Sequence, residues 1–136
     1  MKANQIRIGN HLKYRSVEDG KWHIRKVDGV GIVMCEQQNE LFNEVNRPIK
    51  LNETILVRSG FPRSPNGHFC IQIGPGLLEL SPRSGGYLPA YKTEPLTTEE
   101  QTVFLHRLWY VHEFENLYFV LTGREISLDL TILEVF

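Results

Sequence analysis

Val111, Phe114, Leu117, Tyr118 and Leu121 recur at spacings of three and four, and Gly123 follows them. That period places all five on one side of a helix, and glycine supplies the left-handed residue that ends one. The spacing therefore predicts a helix over 112–122 that has to bury one apolar side. No other pattern constrains the fold as much. Downstream, Ile126, Leu128, Leu130 and Ile132 alternate with Ser127, Asp129 and Thr131, which predicts a closing strand with one buried face.

The rest of the chain divides by its prolines, all seven of which fall between Pro48 and Pro95. This gives a front block (1–47), a punctuated middle (48–95) and a terminal block (96–136). At 136 residues the whole is the size of one domain, and no block alone buries enough surface to be comfortably stable, so we expect a single domain over 1–136.

The front block reads as strands. Residues 11–15 and the alternating run from Trp22 to Val27 flank Asp19-Gly20, a tight-turn pair. Residues 30–36 form a further β-branched run, and the strands together suggest a small SH3-like barrel. Residues 37–47 read as a polar loop anchored by Leu41 and Phe42. In the middle, Asn52 is placed to cap a short helix with Glu53 in its first turn, Ile55 and Leu56 inward, and Gly60 as terminator. Runs at 68–73 and 77–80 flank Gly74-Pro75-Gly76 as a hairpin, and 81–86 reads as a turn or loop. Thr97 and Glu100 have the capping-box spacing of a helix start over 97–102, and 103–110 fits either a strand or a helix, with the strand preferred. The expected class is α+β: predominantly antiparallel β, with one short central helix and one C-terminal amphipathic helix.

Three segments resemble a family of uncharacterised small proteins encoded by gut bacteria and their prophages. They are Met1-Lys2-Ala3 with Ile6-Arg7-Ile8-Gly9-Asn10, then Pro48-Ile49-Lys50-Leu51-Asn52-Glu53 with Gly60-Phe61, and finally residues 111–125. Lys50, Asn52, Glu113, Phe114 and Glu115 depart from the family pattern. The resemblance touches both ends and the centre and implies a shared fold; it brings no activity with it.

Composition narrows the function classes. Fifteen Lys and Arg stand against sixteen Asp and Glu, a formal charge of −1, which argues against a strongly basic nucleic-acid binder. The distribution is uneven: residues 1–47 hold eight basic and six acidic side chains, residues 96–136 two and seven. Cys35 and Cys70 sit in apolar runs with no CxxC partner, which predicts buried free thiols and a reducing, cytoplasmic setting. No apolar run approaches the ~18 residues that span a bilayer, so no membrane partner is expected.

Catalytic chemistry finds no constellation. His112 lies one helical turn from Glu115 and Asn116, a geometry that allows a hydrogen-bonded pair, and we expect it to orient the helix start while Glu115 is solvated. The five histidines are dispersed, with no HExxH and no close Cys/His spacing, so neither a metal nor a cofactor is expected. Gly74-Pro75-Gly76 and Ser84-Gly85-Gly86 lack the Lys-Ser/Thr ending of a phosphate loop. What remains is binding. Protein interaction or self-association is the leading expectation, through the closing strand and the apolar end at 132–136. Nucleic-acid binding is the alternative, through Lys13, Arg15, Lys21, Trp22 and Arg25, where cations interleave with an aromatic ring on a sheet.

Overall fold

A computed structural model describes residues 1–93 and 101–131. Its strands are β1 (His11–Arg15), β2 (Trp22–Lys26), β3 (Asn46–Arg47), β4 (Phe69–Ile73), β5 (Gly76–Arg83), β6 (Gly86–Thr93) and β7 (Gln101–Phe104). Its helices are α1 (Gly29–Gln37), α2 (Asn39–Val45), α3 (Glu53–Arg58) and α4 (Val111–Thr122). The class is α+β with two antiparallel sheets, ordered β2-β1-β3 and β4-β5-β6-β7. Helix and strand contribute about equally, so β does not predominate. The chain forms two compact units, one from residues 51–109 and one from the residues that bracket them.

In the bracketing unit, β1 and β2 form the expected hairpin, with His11 opposite Lys26 and Arg15 opposite Trp22. The barrel does not close. Residues 30–36, expected to be a strand, lie within α1. Asp28 decides this: its carboxylate accepts the Gly31 N–H at 2.8 Å, satisfying a free donor of the first turn and outweighing the β preference of Val30, Ile32 and Val33. The expected loop 37–47 contains α2 and β3, with Phe42 buried and Leu41 exposed. Ile6, Leu12, Val27, Cys35 and Phe42 form the apolar core here.

α4 matches the predicted helix, and Gly123 ends it at φ +70°. The expected closing strand is not formed among the described residues. Ile126 and Leu130 are buried, but residues 126–130 pair with no strand among the described residues; the apolar end at 132–136 lies outside them. Several polar ties fasten this C-terminal region to the first residues of the chain, the shortest of them from Arg7, Asn10 and His11. Arg7 grips Glu125 with both Nη atoms, at 2.5 and 3.0 Å. Asn10 Nδ2 donates to Asn116 Oδ1 at 2.8 Å. The Glu115 carboxyl accepts the His11 N–H at 2.8 Å and lies 2.6 Å from His11 Nδ1. Glu115 is thus buried rather than solvated, and its partner is His11, not His112.

The second unit is a meander. Asn52 caps α3 through the Ile55 N–H at 2.9 Å, as its position predicts. The hairpin at Gly74-Pro75-Gly76 is present, but residues 81–86 are not a loop: β5 runs on to Arg83. Ser84 and Gly85, at φ +38° and +87°, make a two-residue turn into β6, the mirror-image turn that suits twisted strands. Gly76 is required for a different reason, since a Cβ there would overlap the Tyr91 ring. Phe69, Ile71, Ile73, Leu78 and Leu80 share the buried face. The strand expected at 103–110 reaches only Phe104, and Thr97 and Glu100 lie outside the described residues.

Candidate nucleic-acid interface

In an antiparallel pair, residues directly opposite each other share a face. The β1–β2 register sets His11, Lys13 and Arg15 beside Lys26, Ile24 and Trp22. The β1–β3 register adds Arg47 opposite Lys13. The other face carries the buried Leu12 and Asn46, with Tyr14, His23 and Arg25. One side of this sheet packs inward and the other is a cationic surface around an indole.

Of the five residues the sequence suggested, three meet on that surface. Lys13 Nζ stands 5.7 Å from the centre of the Trp22 ring, and Arg15 lies directly opposite Trp22 in the register. Arg25 belongs to the opposite face, where its guanidinium sits 5.4 Å over Tyr14. Strand alternation separates it from Arg15, so the two do not form one site. Lys21 precedes β2 and is exposed, its N–H donating to Asp19 Oδ1 at 2.8 Å.

Sequence reasoning missed Arg47, because a two-residue strand has no period to detect. Strands β1 to β3 contain no acidic residue. Among the described residues Lys13, Arg15 and Arg47 form no salt bridge, so their charges are available. Lys26 is different: the Glu125 carboxylate is within electrostatic reach of it, although Arg7 is the main reason that carboxyl is held below the usual range.

The remaining titratable groups resolve into separate structural roles. His68 Nδ1 lies 2.6 Å from Glu79 Oε1 and 3.3 Å from Ser81 Oγ. Carboxylate and hydroxyl therefore meet the same nitrogen, whereas a triad needs them on opposite nitrogens of the ring. Lys92 Nζ reaches Glu79 Oε2 at 3.3 Å, and the His68 hydrogen bond above all holds Glu79 below the ordinary carboxylate range. Burial raises the pKa of both thiols, Cys35 and Cys70, opposite to the shift that activates a cysteine. Among the described residues no group of three or more His, Cys, Asp or Glu is placed to hold a metal ion, and no helix is long and apolar enough to cross a membrane. The chain matches no protein-family description, no curated protein and no solved structure.

Proposed function

We propose that this is a non-catalytic binding protein whose outer β1–β2–β3 surface takes single-stranded nucleic acid. The family resemblance adds the expectation of an accessory role in a prophage or mobile element. One observation carries the reading: Lys13 and Arg15 flank Trp22, with Arg47 opposite Lys13 on the next strand, and none of these strands carries a carboxylate. Cations track the phosphates and the indole offers a stacking platform, a combination that binds single strands with little sequence preference.

The test is a fluorescence-anisotropy titration with mixed-sequence single- and double-stranded oligonucleotides at several salt concentrations. Affinity should fall linearly in log–log salt, with a slope of roughly −0.7 for each phosphate neutralised on a single strand. Arg15→Glu with Arg47→Glu should abolish binding in a folded protein, while Arg25→Glu should leave it nearly unchanged. Absence of binding at low salt, or equal loss from Arg25→Glu, overturns the assignment.

Self-association is the second reading, and α1 supports it. This helix is apolar around its circumference, a pattern that belongs to buried helices, yet Val30, Val33 and Met34 are exposed with Leu41 of α2. A second copy of the chain can cover such a patch by presenting the same patch in return. Sedimentation velocity separates the readings: a dimer that persists in high salt and dissociates on Val33→Lys supports it, and a monomer at all concentrations removes it.

A further inference from the structure

At the end of the cationic surface away from Trp22, His11 and Lys26 stand opposite each other and line a recess of about 460 Å³. Every residue of its wall belongs to the bracketing unit. The imidazole is held from one side. Glu115, 1% exposed, lies 2.6 Å from Nδ1 and accepts the His11 N–H, which leaves Nε2 as the ring's free nitrogen among the described residues. A partner on one ring nitrogen fixes what the other can do. The His11 side chain is 27% exposed, so the ring stays open to an incoming group.

Two carboxylates share that wall and decide what enters. Glu125 is half exposed with both oxygens on Arg7, and Asp28 is exposed and uses Oδ1 for the Gly31 N–H. A carboxylate offers about four acceptor positions, so each retains room for an O–H. Gly9 clears space beside the first, since a Cβ there would stand 3.2 Å from Glu125 Oε1. Against two carboxylates, the Lys26 ammonium does not make this an anion site. A terminal phosphate, carrying roughly −1.5 to −2 charges at neutral pH, is repelled here, whereas a hydroxyl is not. Ile8, Val27 and Ile126 complete the wall with apolar surface.

We propose that this recess receives the terminal nucleoside of a single strand, its sugar hydroxyl donating to the Asp28 or Glu125 carboxylate and its base lying against Ile8 and the His11 ring. Carboxylates accept ribose hydroxyls in dinucleotide sites in the same way. Splayed-out bases stack on aromatic side chains, histidine among them, and are read by hydrogen bonds along their edges, which His11 Nε2 is free to make. Lys26 and Lys13, on the same face of the sheet, then meet the phosphates that follow. The surface thereby acquires a preferred end, and that end is a hydroxyl. The inference rests on the single-strand reading for its choice of ligand.

The test measures, on the full-length protein, the affinity of one mixed-sequence oligonucleotide in several forms: linear with hydroxyls at both ends, linear with a 5′-phosphate, linear with a 3′-phosphate, and closed into a circle. The hydroxyl-ended form should bind about tenfold tighter than the circle and than one of the phosphorylated forms, the worth of one hydrogen bond to a charged group. The form that loses affinity identifies the end that is seated. Ile8→Glu, at a position 60% exposed where the fold tolerates a charge, should erase the preference and leave the affinity for the circle unchanged. Equal affinities for all forms overturn the inference while the surface reading survives. Tighter binding of a phosphorylated end, or a preference that persists in Ile8→Glu, also overturns it. Absence of binding by every form removes the surface reading and this inference together.

Discussion

In the unit of residues 51–109, every strand of the sheet pairs with its neighbour in sequence, β4 with β5, β5 with β6 and β6 with β7. In the bracketing unit, the carboxyl of Glu115 closes on the backbone of His11, 104 positions earlier. Both units contain a His–Glu pair at 2.6 Å, yet the pairs serve different ends. Glu79 joins strands that the local chain has already aligned. Glu115, with Arg7–Glu125 and Asn10–Asn116, holds together segments that nothing local brings near. The same short contact is an addition in one unit and a closure in the other.

The largest test of that contrast is Glu115→Ala. It leaves the His11 N–H and ring without their buried partner, and should cost the bracketing unit about 4 kcal/mol. The two tryptophans read the units separately in urea denaturation, Trp22 reporting on the bracketing unit and Trp109 on the other. Only the Trp22 transition should move far; equal movement of both would show the units to be one cooperative block. Leu80→Ala is the counterpart, removing a fully buried side chain from the meander at about 3 kcal/mol, with the larger shift now in the Trp109 transition.

Acid titration should separate the units by window. His112 has a lowered folded pKa because it is buried, with the Glu113 and Glu115 carboxyls only partly opposing this. The unfolded chain therefore takes up that proton first. The bracketing unit should lose stability as pH falls below about 6.5, and His112→Phe should flatten this slope. Glu79 also has a lowered folded pKa. Its contribution is complete above the unfolded value of about 4.3 and is lost as pH falls through the folded one. Glu79→Gln should therefore remove a slope that appears only below that value. Thermal melts from about pH 2 to about pH 8 check both signs. The smallest effect is Gly85→Ala, which forces a side chain into the left-handed turn and should lower the meander's stability by about 1 kcal/mol.

The elements legible in the sequence are those whose cause lies within a few residues. Asn52 caps α3, Gly74-Pro75-Gly76 turns β4 into β5, and the 111–121 stripe forms α4. Where a local signal has a stronger local rival, the reading fails: the β-branched run at 30–36 yields to Asp28. Where the cause is distant, no pattern records it. Ile126, Leu128 and Leu130 alternate like a strand, but they pair with no strand among the described residues. The candidate surface was half legible, because alternation along β1 and β2 is visible while the β1–β3 register that adds Arg47 is not. The same alternation, applied strictly, separates Arg25 from Arg15 and corrects the expected site.

The chain leaves and rejoins the bracketing unit at one place, where Lys50 and Tyr110 bridge and the Val111 N–H donates to the Ile49 carbonyl at 2.8 Å. For the gene this makes residues 51–109 a cassette. Arg7–Glu125, Asn10–Asn116 and His11–Glu115 all lie outside it, so recombination that exchanges, lengthens or shortens this stretch leaves those bonds intact. Added length in a closed loop costs little entropy. Variation among relatives of this chain should therefore accumulate as whole replacements of its middle, framed by ends that change slowly.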